Sequence, residues 1–493
     1  MTLPADFIVF SILGPAIVML VFAMITLLFA VFQVDRSATA SMALVGVGTA
    51  AVFALHLLMK GQQGAAEAGF GLRYLGDTPA TAFTLVILLG TALAILVSEA
   101  DLSRLGLDHP EYYPLMLLSA TGAIVLASAG DLITLLLGLE IMSLAVYALA
   151  AWRQGSRQSE EAGMKYFLLG AFASALLIYG IALTFGAGGR FDYAGLAAAF
   201  SAPGFDAHVL ALLGSVLLLA GLGFKVAFAP FHQWLPDVYT GAPTPVTTFM
   251  SVVVKTAAFA ALLRIASTVF ASLGAGPLGE LLPIMLGILI GATLIVGNFG
   301  ALLQSGVKRM LAYSAVAHAG YLGLAVLAAD TVGTNAAIFY LTAYTLMTAG
   351  AFAVLSAITN ADDRGDEIER FAGLAARRPF LAASLAIVLM SLAGLPPFAG
   401  FVGKLLVFQA AISAGYVALA VLGIATSVVA VVYYARVITY MYFRESDQET
   451  IRPLAPTLRI AVVIAVVGTI ALGILPGFWY GLVERGQVLL AGF

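Results

Sequence analysis

The chain has 493 residues, of which 62% are hydrophobic and 10% are charged, and its mean hydropathy is +1.04. This composition lies far outside the range of soluble domains and predicts a polytopic membrane protein. The net charge of −3 is spread over the chain without a basic tract, so nothing predicts a nucleic-acid partner. The absence of cysteine excludes disulfides, thiolate metal sites and iron–sulfur ligation on this chain.

Apolar runs of about 20 residues, the length that crosses the hydrocarbon core, predict fourteen transmembrane spans. The first run is too long for a signal peptide and lacks a basic region before it, so we expect it to span the membrane. The spans lie near 7–32, 40–59, 78–98, 111–129, 131–151, 162–186, 207–238, 244–272, 280–303, 308–328, 334–358, 379–414, 416–443 and 457–480.

Spans seven and twelve are too long for one straight crossing, and each contains proline: Pro230 in span seven, and Pro396 and Pro397 in span twelve. Proline removes a helical hydrogen bond, and in hydrocarbon such a break survives only beside protein or water. Each broken span is the fourth of a set of five, spans 4–8 and spans 9–13. Since five is odd, the second set is inverted, as in many secondary transporters.

The expected fold is therefore an all-α integral membrane protein built from an inverted repeat of two five-helix bundles. Its predicted segments are an N-terminal three-helix segment, a first repeat, a second repeat and a C-terminal helix, over residues 1–109, 110–275, 276–445 and 446–493. Loop lysines and arginines number thirteen on the side opposite the termini and four on the terminus side. The positive-inside rule then predicts that both termini lie outside the cytoplasm. The cytoplasmic stretch 362–379 is expected to be either a short amphipathic segment or a solvated loop.

A few ionisable side chains lie inside the predicted spans rather than in the loops. At 1.5 Å per residue, five of them fall near mid-depth, and Lys165 falls nearer the cytoplasmic end of span six. Arg264 and Arg436 are within reach of an interface, and we interpret them, with His56 and His232, as structural. The five mid-depth groups are Glu140, Lys225, Lys255, His318 and Lys404.

Charges at the bilayer centre cost about 2.5–3.5 kcal/mol each on insertion scales, so these groups must face one another or water. Because they share one depth, they can form a row parallel to the membrane. Crowding and desolvation favour neutral lysines, whereas a nearby carboxylate favours charged ones, so small changes in pairing would load or release a proton. The alternative interpretation is a set of static buried ion pairs.

Five stretches of the chain are distinctive: GLEIMSLAVYALAAW (138–152), EEAGMKYFLLGAFASALLIYG (160–180), FKVAFAPFHQWLPDVYTGAPTPVTTFMSVVVKTAAF (224–259), KRMLAYSAVAHAGY (308–321) and FAGLAARRP…SLAGLPPFAGFVGK (371–404). They resemble the antiporter-like membrane subunits of respiratory complex I, the NADH–quinone oxidoreductase. The resemblance is dense over roughly residues 110–445. In the larger sister subunits and the sodium/proton antiporter subunits, tryptophan usually precedes the span-five glutamate, where Leu139 stands here.

The resemblance implies a role for each mid-depth group. Glu140 resembles the glutamate that modulates the nearby lysines, and Lys225 resembles the broken-helix lysine of the proton input half-channel. Lys255 and His318 resemble the central relay. Lys404 resembles the terminal lysine from which the proton leaves. Lys165 matches a lysine on span six that gives Glu140 a second possible partner.

The resemblance also implies proton translocation driven by quinone reduction in neighbouring subunits of a bacterial inner-membrane complex. FMN, iron–sulfur clusters and quinone would then be bound by other subunits, and this chain would carry no cofactor. Consistent with this, its GLG at 221–223 lies inside a span and not after a strand, so it is no dinucleotide fingerprint. The expected partners are other membrane-arm subunits, including sister antiporter-like subunits, and the lipid bilayer. The alternatives are a cation/proton antiporter subunit independent of NADH and a structural scaffold of the membrane arm.

Overall fold

The computed structural model describes residues 5–60, 73–274, 278–359, 366–445 and 453–477, together with 479 and 481. Within these residues the chain is helical, with isolated backbone bridges and no β-strand. The α-helices are α1 Ala5–Val31, α2 Arg36–Lys60, α3 Thr78–Leu105, α4 Tyr112–Ala127, α5 Leu132–Ala150, α6 Arg157–Gly188, α7 Tyr193–Phe200, α8 His208–Val226, α9 Trp234–Gly241, α10 Thr244–Phe249, α11 Lys255–Ile265, α12 Ala271–Leu273, α13 Leu281–Leu302, α14 Val307–Ala328, α15 Thr331–Ile358, α16 Leu374–Arg377, α17 Pro379–Ala393, α18 Ala399–Ser413, α19 Val417–Phe443 and α20 Pro456–Ile474.

Twelve helical segments in the described part of the chain are long and apolar enough to cross a bilayer. The shorter helix α4 and the end-to-end pair α17 and α18 complete the fourteen predicted crossings. The prediction of an all-α membrane fold with about fourteen spans is confirmed. Because fourteen is even, α1 begins and α20 ends on the same side. We call this the terminus side, and the other the opposite side.

The seventh crossing is broken between α8 and α9, as predicted from Pro230. Helix α8 ends at Val226, and the following Ala227 adopts a left-handed conformation with φ 65°. Within the break, the amide of Ala229 donates to the hydroxyl of Thr293 on α13, at 2.8 Å. A backbone group freed by the break therefore finds a partner inside the protein, which is the condition for such a break within hydrocarbon.

The twelfth crossing is broken between α17 and α18, at Pro396 and Pro397. Helix α17 ends at Ala393, where Gly394 takes a left-handed conformation with φ 87°. Glycine populates this region without the steric cost that other residues carry, so the helix terminates there. Both predicted breaks are thus present, each at a pair of half-helices inside the membrane.

The two five-helix bundles show their repeat in two matching backbone bridges. Asp131, just before α5, bridges Asp192, and Gly306, just before α14, bridges Glu367. The two pairs have identical sequence separations and stand at the start of the same helix of each bundle. An odd number of crossings separates these starts, so the bridges lie on opposite sides of the membrane. The bundles are therefore an inverted repeat.

Helix α15 lies at the centre of the molecule and is buried along its length. It packs against α10 of the first repeat, α14, α17 and α18 of the second, and α3 and α20 of the flanking segments.

Elsewhere the packing depends on glycine: a Cβ atom on Gly122 of α4 would lie 2.3 Å from the amide nitrogen of Met142 on α5. This close approach fixes α5, which carries Glu140.

Two connections contain short helical turns, of which only the one at 362–379 has a counterpart in the sequence-based expectations. The long connection near 187–206 includes α7, whose Tyr193, Leu196 and Phe200 are buried. The charged stretch 362–379 is described from residue 366, where Ile368–Phe371 forms a 3-10 turn before α16. Ile368, Phe371 and Leu374 are buried in it. The described part of this stretch is therefore packed on the protein, which favours the amphipathic interpretation over a solvated loop.

Candidate functional site

Lys225 lies in the last turn of α8, immediately before the first break, and is 3% exposed. Its Nζ donates to the hydroxyl of Tyr147 on α5, at 3.2 Å. The same Nζ lies 5.0 Å from the ring centroids of both Tyr147 and Tyr166, within the range of cation–π attraction. The partial negative charge of a helix C-terminus further favours a cation there. The ring centroid of Phe224 lies 5.7 Å away, so the site holds the ammonium with one hydrogen bond and three aromatic rings.

Glu140 lies on α5, two helical turns before Tyr147, whose hydroxyl accepts the hydrogen bond from Lys225. Its carboxylate accepts a hydrogen bond from the hydroxyl of Ser174 on α6. Glu140 is half-buried, and its neighbours Leu137 and Ile141 are exposed on the lateral surface of the chain. The carboxylate therefore lies between Lys225 and the outer face of α5.

Lys165 on α6 does not pair with Glu140. Its Nζ lies 2.7 Å from a carboxylate oxygen of Asp237 on α9 and 2.7 Å from one of Glu161. Ser174, which contacts Glu140, is nine residues further along α6, a rise of about 13 Å. The structure therefore places Lys165 in a separate ionic cluster towards the opposite side, because the second half-helix of the seventh crossing, α9, brings Asp237 to it.

Lys255 lies in the eighth crossing, directly after a π-helical turn at Met250–Val254. Such turns occur frequently at functional sites, because they shift the side chains that follow around the helix. Its Nζ donates to the main-chain carbonyl of Ala315 on α14 and lies 5.2 Å from the ring centroid of Tyr344. Lys255 is 2% exposed, and its hydrogen bond to α14 joins the two repeats at the centre of the molecule.

His318 lies on α14 with both ring nitrogens facing tyrosine hydroxyls. Nδ1 lies 2.7 Å from the hydroxyl of Tyr340 on α15, and Nε2 lies 3.4 Å from that of Tyr434 on α19. The hydroxyl of Tyr434 also hydrogen-bonds the hydroxyl of Ser314. Imidazole and phenol can each donate and accept, so this buried arrangement can take up a proton on one nitrogen and release one from the other.

Lys404 lies on α18, just after the second break, and is 4% exposed. Its Nζ donates to the carbonyl of Ala393, the last residue of α17, at 2.9 Å. It also donates to the hydroxyl of Ser427 on α19, at 2.8 Å, and lies 4.7 Å from the ring centroid of Tyr321. The lysine therefore caps the C-terminus of a half-helix, where the backbone favours a cation.

Lys255, His318 and Lys404 form a continuous cluster through shared aromatic neighbours. The ring of Tyr344 contacts both Lys255 and His318, and that of Tyr321 contacts both His318 and Lys404. Among the described residues, no direct side-chain hydrogen bond joins Lys225 to this cluster. The predicted row is thus two groups, Glu140 with Lys225 and the central cluster, while Lys165 lies apart.

The tyrosines around the lysines and His318 are functional candidates that the sequence interpretation missed. Tyr147 follows Glu140 by seven residues and Tyr321 follows His318 by three, spacings that place each pair on one helix face. These spacings could have identified the two residues. Tyr340, Tyr344 and Tyr434 lie on other helices and have no such signal.

Arg264, interpreted as structural, forms a bidentate ion pair with Asp77 on the terminus side. Its two guanidinium nitrogens lie 2.7 Å from the two carboxylate oxygens of Asp77. Burial alone would raise the pKa of Asp77, but the neighbouring guanidinium lowers this pKa below its ordinary value. The pair ties the eighth crossing to the start of α3.

Within the described residues, no group of three or more His, Asp and Glu side chains is arranged to hold a metal ion. The fold and the site define a polytopic helical membrane protein in which buried lysines lie at the breaks of two inverted bundles.

Comparisons with known proteins agree with this class. Residues 129–430 match the family described as NADH:quinone oxidoreductase/Mrp antiporter, transmembrane. The chain is 40% identical over 473 residues to NADH-quinone oxidoreductase subunit N of Trichlorobacter lovleyi, covering 94% of each protein. It is 46% identical over 412 residues to subunit N of Deinococcus radiodurans, covering 82% of each.

A solved structure points to the same family. One chain of respiratory complex I from Thermus thermophilus with bound aureothin superposes with a TM-score of 0.79 at 39% identity, covering 95% of this chain and 98% of that one. The chain therefore belongs to the NADH:quinone oxidoreductase/Mrp antiporter family, among the proteins named NADH-quinone oxidoreductase subunit N.

Proposed function

We propose that this chain translocates protons as a membrane-arm subunit of NADH–quinone oxidoreductase, driven by quinone reduction in other subunits. The single observation that carries the proposal is the burial of three lysines at mid-depth, at 3%, 2% and 4% exposure, without a carboxylate hydrogen-bonded to any of them in the described structure. Static ion pairs would give each ammonium a carboxylate partner. Here the partners are hydroxyls, carbonyls and aromatic faces, which can accommodate a neutral amine as well.

In the proposed path, Glu140 controls the charge of Lys225, which takes up a proton beside the first break. Lys255 and His318 carry the proton through the centre, and Lys404 releases it beside the second break. The tyrosine hydroxyls at His318 can donate and accept, so each is a group with which the imidazole can exchange a proton.

We further propose that the chain acts as part of a translocase and carries no redox centre itself. It would lie in the bacterial inner membrane with both termini on the periplasmic side, because loop lysines and arginines are concentrated on the opposite side. The proposed segments remain 1–109, 110–275, 276–445 and 446–493. The two matching bridges support the division between the repeats, since each stands at the same helix of its bundle.

The proposal is tested by tagging the chain in its native membrane and purifying it in mild detergent. We expect co-purification of NADH–quinone activity that is sensitive to rotenone or piericidin. We also expect Lys225→Ala to lower the number of protons pumped per NADH oxidised by the assembled complex, because the substitution removes the amine beside the first break.

Two rival functions make different predictions in this experiment. A cation/proton antiporter subunit would purify without NADH oxidation and would support sodium-dependent transport in vesicles that contain no NADH. A structural scaffold would lose assembly in Lys225→Ala, while whatever assembled would pump with the wild-type stoichiometry. Either result would contradict the proposed function.

A further inference from the structure

The ionic cluster around Asp237 lies on the opposite side, outside the row of mid-depth groups. The two carboxylate oxygens of Asp237 are shared between two helices: Lys165 of α6 lies 2.7 Å from one, and Arg309 of α14 lies 2.8 Å from the other. Because α6 belongs to the first repeat and α14 to the second, Asp237 joins the two repeats through α9. We call Asp237, Lys165 and Arg309 the ionic clamp.

Helix α9 is held at its end by further contacts on both flanks. On one flank, the Nζ of Lys308 on α14 donates to the carbonyl of Ala242, at 2.8 Å. On the other flank, Gly241 packs so closely on α6 that a Cβ atom there would lie 2.4 Å from the carbonyl oxygen of Gln158. The half-helix is therefore tightly placed between α6 and α14, with the clamp as its charged contact.

Helix α9 also connects the clamp to Lys225. Trp234, one turn before Asp237, stacks on the ring of Tyr166 with centroids 4.5 Å apart. Its Nε1 donates to the carbonyl of Phe224, at 3.0 Å, and Phe224 precedes Lys225 in the chain. Since the ring of Tyr166 also faces the ammonium of Lys225, a displacement of α9 would change the surroundings of Lys225 directly.

A cavity of about 150 Å³ opens beside the clamp. Asp237 and Arg309 line it, together with Gln158, Glu161 and Thr240. Its volume is enough for several water molecules, and polar side chains are available to bind them. The clamp residues are only partly exposed, at 35% to 39% of their side-chain surface, so ion pairing here is screened only in part.

We propose that the ionic clamp is a gate, in which Asp237 is a positioning residue that holds α9 against α6 and α14 and keeps this cavity closed towards Lys225. When one ion pair exchanges, α9 moves, Trp234 shifts against Tyr166, and water in the cavity reaches the first break. This inference rests on the proposed proton translocation and assigns to Lys165 a place in the gate, not in the mid-depth row.

The chain has no cysteine, so a single introduced thiol can report directly on the cavity. Thr240→Cys introduces one thiol on the cavity wall, and Gln154→Cys introduces one on the exposed loop of the same side. Inside-out membrane vesicles carrying the whole complex are treated with a membrane-impermeant maleimide, and labelling of this chain is followed by gel shift. We expect Thr240→Cys to be labelled several-fold faster with Asp237→Asn, and Gln154→Cys to be labelled equally in both backgrounds.

Proton pumping provides the second readout. Asp237→Asn should lower the protons pumped per NADH in assembled complex, and Asp237→Glu should restore them, because the charge is what the clamp requires. Glu160→Gln is the matched control: it neutralises a carboxylate on the same helix α6 that accepts a hydrogen bond from the amide of Gly155 and does not line the cavity. It should leave both labelling and pumping near wild type.

If the complex with Asp237→Asn does not assemble, the test uses Thr240→Cys in an otherwise unchanged chain. Its labelling rate is then compared with and without NADH. Faster labelling during turnover supports the gate. Equal labelling at rest and during turnover would overturn it, as would Asp237→Asn pumping at the wild-type ratio with unchanged labelling. The proposed function fails separately, through unaltered pumping in Lys225→Ala. A gate that fails while Lys225→Ala still lowers pumping leaves the proposed function standing.

Discussion

The two repeats place a lysine at the same kind of break and then surround it differently. In the first repeat, the ammonium of Lys225 makes one hydrogen bond, to Tyr147, and otherwise lies against aromatic rings. In the second repeat, Lys404 makes two hydrogen bonds, to Ala393 and Ser427. An ammonium has three donors, so Lys225 leaves more of them unused.

The matching bridges extend this comparison to the carboxylate. Counted from those bridges, Glu140 on α5 is equivalent to Ala315 on α14. The second repeat therefore has no carboxylate at this position, and the carbonyl of Ala315 accepts a hydrogen bond from Lys255. The first repeat has a carboxylate two helical turns from the tyrosine that contacts its lysine, whereas the second holds its lysine by short hydrogen bonds. This asymmetry suits one site for uptake and another for release.

Replacing Lys225 or Lys404 by methionine should produce the largest effects. These variants also test whether the two lysines differ in how firmly they are held. Both Lys225→Met and Lys404→Met should lower proton pumping strongly. Lys404→Met should also destabilise the complex more, because it removes two hydrogen bonds from a charged donor where Lys225→Met removes one, each contributing about 1.5–3 kcal/mol. Thermal inactivation of NADH–quinone activity measures the difference. A larger loss of stability in Lys225→Met would contradict the account.

Replacing Glu140 should have the next largest effect, and only on the first repeat. Glu140→Gln keeps the shape of the side chain but removes the field acting on Lys225, so pumping should fall while NADH oxidation per assembled complex is retained. Ser174→Ala is the matched control, since it removes the donor to Glu140 but keeps the charge. Equal losses in the two variants would show that the hydrogen bond matters and the charge does not.

The two tyrosines at His318 should give the smallest effects. Tyr340 lies closer to the imidazole than Tyr434 does, at 2.7 Å against 3.4 Å. Loss of a hydrogen bond costs about 1 kcal/mol, so Tyr340→Phe should slow pumping roughly fivefold where this step limits the rate. Tyr434→Phe should slow it less. Initial rates of proton uptake by vesicles measure both, and the reverse order would place the proton path on the α19 side.

The breaks and the mid-depth lysines could be predicted because proline and charge are rare inside apolar runs. Pro230 and Lys225 stand out in such a run whatever the helix packs against, and the insertion cost alone demands an explanation. The inversion of the second set of five spans also follows from counting crossings.

The partners of these groups could not be predicted, because they depend on helix rotation and on how each half-helix continues after its break. Lys165 meets Asp237 only because α9 completes the crossing beside α6, whereas the linear sequence offers Glu140 equally well. The π-helical turn before Lys255 has no sequence signal, although it changes the face on which that lysine lies. Tyrosine is common enough in membrane spans that Tyr340 and Tyr434 could not be singled out.

The central claim is that protons cross between the repeats through Lys255, which lies on the eighth crossing of the first repeat and hydrogen-bonds the carbonyl of Ala315 in the second. The most direct test is the ratio of protons pumped to NADH oxidised in vesicles that contain purified complex with Lys255→Ala. The account predicts a lower ratio with NADH oxidation per complex retained. A ratio equal to that of the wild type would contradict it.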